Sequence, residues 1–141
     1  MLIKELSEAV GVSGSEDAVR KVVIPAIQDH VTDIRINALG GVTALKAGVG
    51  NPRLRVMIAA HMDEIGFMVR GFDGDGLIRF SNIGGVDERI LPGLRVRIGD
   101  VPGVIIWTPI HLNREQNAVK LSNLRIDIGA SSKDEVAGKV K

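Results

Sequence analysis

The residues best suited to chemistry lie in one run, Ala59-Ala60-His61-Met62-Asp63-Glu64-Ile65-Gly66-Phe67. An imidazole can bind a metal ion through one ring nitrogen. A carboxylate two residues further along an extended segment lies on the same side of the chain. It can accept the other ring N–H and so fix the tautomer. His61 and Asp63 therefore have the spacing of a ligand and the acid that orients it. The plain alternative is a hydrogen-bonded histidine at a strand end.

Other candidates point to blander roles. His30 follows Asp29 at the end of an expected helix, where a cation is favourable and a surface role suffices. His111, within Pro109-Ile110-His111-Leu112, reads as structural or as part of an interface. Asp87 and Glu88 could suggest the carboxylate pair of a glycosidase. Neighbours on a strand, however, point to opposite faces. Gly74-Asp75-Gly76 and Gly99-Asp100 read as turns, and neither continues into a phosphate-binding fingerprint. Arg95, Arg97 and Arg125 alternate with apolar residues and read as solvent faces of strands.

The elements that must position these residues follow from periodicity. Residues 56–60 are continuously apolar, which suits a strand over 54–60 buried on both faces. His61 then sits just beyond the carboxyl end of a strand, where open α/β sheets gather their ligands. Upstream, Leu2, Ile3, Leu6 and Val10 recur at helical spacing. Ser13 with Glu16 has the form of a capping box. Val19, Val22, Val23, Ala26 and Ile27 form an apolar helical stripe, and Pro25 inside it predicts a kink. From Asp33 the period becomes two, with a turn at Leu39-Gly40-Gly41 and a second strand over 42–46.

Beyond Gly66, glycines punctuate short strand-like runs over 67–70, 77–80, 94–98, 104–107 and 124–128. That density of strands and turns predicts a small barrel or sandwich. Ser131 with Asp134, or Ser132 with Glu135, resembles a helix start. The pattern predicts an α/β unit over 1–66 and a β-rich unit over 67–141.

Composition narrows the function classes. The 141 residues are 45% hydrophobic and 25% charged, which is ordinary globular usage. Zero Cys excludes a disulfide scaffold, a thiolate zinc site and a cysteine nucleophile. A net charge of +1, with no Tyr and aromatics limited to Phe67, Phe72, Phe80 and Trp107, argues against a nucleic-acid partner. No apolar run approaches the roughly 18 residues of a membrane helix. Lys4, Glu5 and Glu8 stand where a signal peptide places its apolar core. A soluble cytoplasmic protein is expected.

The chain also resembles the glutamyl or deblocking metalloaminopeptidases, the family that assembles into tetrahedral particles. The specific part is the block His61-Met62-Asp63-Glu64-Ile65-Gly66-Phe67. It is supported in order and spacing by Gly11-Val12-Ser13-Gly14-Ser15-Glu16, Val19-Arg20, Leu39-Gly40, Ile83-Gly84-Gly85, the glycine-ended run at 96–99, the 109–112 stretch and residues 126–130. The resemblance implies a partial zinc-peptidase-like α/β sandwich over 1–66. An inserted small β-barrel domain, incomplete and making dimer contacts, would follow over 67–141. It implies two divalent metal ions, zinc or cobalt, with His61 a ligand of one and Asp63 its orienting partner. A glutamate from a later Glu-Glu pair would be the general base on a bridging water. It implies a peptide substrate and a homo-oligomer formed through the β-rich domain.

The family's other ligands lie downstream of the inserted domain, and residues 1–141 contain no Glu-Glu pair. Asn37 and Gly41 stand where the family tends to have an Asp and an Asn. The chain is therefore expected to be the N-terminal portion of an aminopeptidase, inactive and self-associating on its own. The alternative is a non-catalytic β-barrel assembly or binding module. An oligonucleotide-binding barrel is disfavoured by the balanced charge.

Overall fold

The computed structural model describes residues 1–51, 54–109, 112 and 119–140. The chain is a mixed α/β fold in two compact units, Met1–Gly66 and Phe67–Lys141. Among the described residues no helix is long and apolar enough to cross a membrane.

The first unit holds α1 (Leu2–Glu8), α2 (Asp17–Ile27), a 3-10 turn at Gln28–His30, β1 (Thr32–Ile36) and β2 (Val42–Leu45). The α2 stripe turns inward: Val19 is buried, and Val23 and Ile27 are half-buried. The helix runs two residues past Pro25. Proline lacks the N–H that would reach Lys21, and the chain then tightens into the 3-10 turn. Strands β1 and β2 pair antiparallel, with an irregularity between Thr32 and Arg35. Asn37 shapes their turn, since its Oδ1 accepts from the N–H groups of Leu39 and Gly41, both at 2.9 Å.

Two expectations fail in this unit. Residues 54–60 form no strand and are exposed: Leu54 is 92% accessible, Val56 81%, Met57 89% and Ile58 93%. A strand buried on both faces needs hydrogen-bonded neighbours on each side. Among the described residues β1 and β2 pair only with each other, and the run at 54–60 joins neither of their outer edges. Ser13 does not cap α2 either. Glu16 is the N-cap residue, and its carboxylate reaches back to the Gly14 N–H at 2.7 Å.

The second unit holds β3 (Gly66–Phe72), β4 (Ile78–Ile83), β5 (Arg95–Ile98), β6 (Val101–Ile106), β7 (Arg125–Asp127) and α3 (Lys133–Lys139). Each of the five expected runs supplies one strand. They form one sheet in the order β3-β4-β7-β6-β5. The β5–β6 hairpin pairs Arg95 with Val104 and Ile98 with Val101 around the Gly99-Asp100 turn. Strand β5 alternates as its sequence does, with Arg95 and Arg97 exposed and Val96 and Ile98 half-buried. Ile78, Leu91, Ile105, Leu124, Ile126 and Val136 are the fully buried side chains. Burial of each contributes about 1.5–3 kcal/mol. Phe67 meets Phe80 edge to face, with ring centres 4.9 Å apart.

Of the two expected helix starts, Ser132 with Glu135 is the one formed. Ser132 Oγ accepts from the Glu135 N–H, and Glu135 accepts from the Ser131 N–H at 2.9 Å. Arg125 is not simply a solvent-facing residue. Its Nε donates to Asp73 Oδ2 at 2.6 Å, and Arg79 approaches the other Asp73 oxygen at 3.0 Å.

Candidate functional site

The loop after α1 is laced to the residues around Asp63. The Gly11 carbonyl accepts from the Glu64 N–H at 2.7 Å. In return the Gly11 N–H donates to Glu64 Oε1 at 3.1 Å. Val12 and Glu64 make a parallel bridge. Glycine is required at position 11 by close approach: a Cβ there would stand 2.5 Å from Val19 Cγ2. Val19 is buried and stiff about χ1, so it has little room to yield.

This lacing sets Ser13 against Asp63, and the Ser13 hydroxyl donates to Asp63 Oδ2. His61 Nδ1 lies 2.9 Å from the Asp63 carbonyl and 3.1 Å from Asp63 Oδ1. Both partners are acceptors, so Nδ1 carries the proton and Nε2 presents its lone pair. The His61 side chain is 85% exposed and that of Asp63 40%. The Ser13 hydroxyl, followed by His61, holds the Asp63 carboxyl below the usual carboxylate range. Glu64 is committed to the Gly11 amide and serves the scaffold.

His61 and Asp63 line a cleft of about 710 Å³ together with Val19, Val23, Leu39 and Val42. Its wall is the inward stripe of α2 and the β1–β2 turn. Glu16 also lines it. The Gly14 N–H first, and then its own N–H and Arg20, keep the Glu16 carboxyl low.

The other candidates fall elsewhere. His30 is exposed at the end of the 3-10 turn. His111 lies outside the described residues. Asp87 and Glu88 sit at a 3-10 turn, Glu88–Ile90, and not on a strand. Arg89 binds Asp87, and Glu88 Oε2 accepts from the Leu121 N–H at 2.8 Å. Both carboxylates are engaged in holding loops. Ser13 is the site residue that sequence reasoning missed, because its spacing to Glu16 offered a helix cap as a sufficient role. The signal lay in its position between Gly11 and Gly14, where a loop and not a helix was due.

For a metal ion, the donor set fits one ligand position. The His61 Nε2 lone pair suits it, and Asp63 gives the outer-shell support that a metal-bound imidazole needs. Among the described residues no group of three His, Asp or Glu side chains converges to complete a site.

An acid-oriented imidazole on the rim of a cleft, carried by a mixed α/β unit, is donor geometry that metallohydrolases use. The chain belongs to the M42 glutamyl aminopeptidase family, which matches it over residues 40–140. It is 36% identical over 143 residues to the lysyl aminopeptidase of Pyrococcus furiosus, covering 95% of this chain and 40% of that protein. A solved structure from Thermotoga maritima, named an endoglucanase, superposes with a TM-score of 0.84 at 40% identity, over 100% of this chain and 42% of the other. The TET1 peptidase of Pyrococcus horikoshii superposes with a TM-score of 0.80 at 34% identity, over 100% of this chain and 44% of the other. That protein can assemble into a tetrahedron or a large octahedral shell. The chain thus spans about two fifths of the length of the relatives it matches.

Proposed function

We propose that the chain is the N-terminal portion of a metal-dependent aminopeptidase that removes N-terminal residues from peptides in the cytoplasm. The observation that carries this reading is the oriented imidazole, with Nδ1 engaged by Asp63 and Nε2 open to solvent. In this reading His61 is one ligand of a pair of divalent ions, zinc or cobalt, and Asp63 is its orienting partner. Residues 1–66 are the N-terminal part of the catalytic domain. Residues 67–141 are the inserted barrel-like domain through which copies of the chain contact one another. The assemblies of the Pyrococcus horikoshii relative support the homo-oligomer.

The endoglucanase name belongs to the Thermotoga protein. Here Asp87 and Glu88 are both engaged, which leaves a glycosidase reading without its carboxylates. With one donor in place among the described residues, the 141-residue chain has no turnover of its own. The remaining ligands and the base come with the rest of the family length.

The test joins this chain to the remaining length of the Pyrococcus furiosus relative and compares the fusion with the chain alone. Both are given zinc or cobalt and assayed for release of N-terminal residues from peptides. The fusion is expected to bind metal and turn over, and both properties fall in His61→Ala. Robust turnover by the chain alone would overturn its inactivity. Equal activity and metal content in the His61→Ala fusion would overturn the ligand assignment.

A further inference from the structure

We infer that Ser13 is a positioning residue that locks the His61 tautomer by fixing the Asp63 carboxylate. The inference rests on the reading of His61 as a ligand and Asp63 as its partner.

A carboxylate beside an exposed imidazole is poorly constrained by itself. It can rotate about χ2, exchange its two oxygens and turn to water. The Ser13 hydroxyl has one proton, and it is given to Asp63 Oδ2. Oδ1 is thereby left facing His61 Nδ1 at 3.1 Å. Ser13 has no competing helix-capping duty, because α2 starts from Glu16. It is not a nucleophile paired with a base either, since its partner is the carboxylate and not the ring.

The main chain places this hydroxyl with little freedom. Gly11 is bonded to Glu64 through both its carbonyl and its N–H. On the far side, the Gly14 N–H is held by Glu16. Ser13 lies between these anchors, so its side chain meets Asp63 as a consequence of the loop path. The result is a relay from Ser13 to Asp63 to His61 that adds to the Asp63 main-chain carbonyl, 2.9 Å from Nδ1, in leaving Nε2 unprotonated. A neutral imidazole in water favours the opposite tautomer, with the proton on Nε2, so the relay does work that the bare side chain would not.

The test uses the 141-residue chain without metal, with its histidines labelled with ¹⁵N and observed by NMR at alkaline pH. The ratio of Nδ1–H to Nε2–H at His61 is read directly. The unaltered chain is expected to show the Nδ1–H form. In Ser13→Ala that ratio falls about three-fold or more, as for the loss of one ordinary hydrogen bond, while Ser13→Thr restores it. A merely structural serine would not move the tautomer in a chain that keeps its fold. Should Ser13→Ala fail to fold, Ser13→Thr and Ser13→Val share a shape and differ by the hydroxyl. The Thr variant keeps the Nδ1–H form and the Val variant loses it.

An unchanged ratio in the Ala variant, or in the Val variant, overturns the inference. Asp63→Ala, which removes the acceptor that an asparagine would keep, separates the two levels of the argument. If it shifts the ratio while the serine variants do not, Ser13 alone loses its role. If it leaves the ratio unchanged, the orienting role of the Asp63 carboxylate fails as well, and the main-chain carbonyl of Asp63 alone holds the tautomer.

Discussion

Arg20 Nη1 donates to the carbonyl of Gly40 at 3.1 Å, tying α2 to the β1–β2 turn. The Arg20 side chain is only 15% exposed and also reaches Glu16 at 3.5 Å. Two stretches that drew attention separately in the sequence, Val19-Arg20 and Leu39-Gly40, are one contact in space. Gly40 has φ +85°, and a Cβ there would lie 2.5 Å from Arg20 Nη1.

Replacing Gly40 tests that contact. Gly40→Ala forces an L-residue into the left-handed region, at about 1–2 kcal/mol, and displaces Arg20. Urea denaturation followed by circular dichroism should show that loss. An unchanged midpoint would mean that the turn relaxes to another path.

The interior of the second unit is more sensitive. Ile105 is fully buried between β5 and β7. Ile105→Ala removes packing that nearby side chains cannot refill and should cost about 2–5 kcal/mol. A thermal melt measures it, and a loss below about 1 kcal/mol would mean that the core collapses onto the gap.

Acid should destabilise the chain in a definite window. Arg89 holds the Asp87 carboxyl at about 2, down from the usual 3.8. A carboxyl whose folded value is lowered stabilises the fold above its unfolded value, and that stability disappears as pH falls through the folded value. The contribution of Asp87 is therefore present above about pH 4 and lost between about pH 4 and 2. Asp87→Asn should flatten that part of the stability profile. An identical profile in the variant would show that the Arg89 contact is as strong in the unfolded chain.

The exposed run at 54–58 should drive self-association. Leu54, Val56, Met57 and Ile58 are all more than four-fifths accessible. Contiguous apolar surface of this kind is an association site. Light scattering of the isolated chain should show species larger than a monomer, reduced by Val56→Lys with Ile58→Glu. A monodisperse monomer of the unaltered chain at moderate salt would contradict this.

Much of the local order was legible in the sequence. Helix α2, the turn at Leu39-Gly40-Gly41, the five strands of the second unit and the cap at Ser132 all rest on nearest-neighbour rules: periodicity, glycine placement and side-chain capping. The closeness of His61 and Asp63 was legible for the same reason, because a spacing of two residues is enough to bring the ring and the carboxylate to 3.1 Å. Ser13 shows where local rules mislead. A serine three residues before a glutamate suggests a cap, yet its hydroxyl is used 50 residues away.

Sequence alone thus determined most of the elements and the closeness of the imidazole–carboxylate pair, since these depend on residues a few positions apart. Tertiary structure alone decided that Ser13 completes the pair and that Arg20 grips Gly40. It also decided that residues 54–60 lie open instead of forming a central strand. A strand is made by the partners it bonds to, and hydrophobic pattern can demand such partners without supplying them.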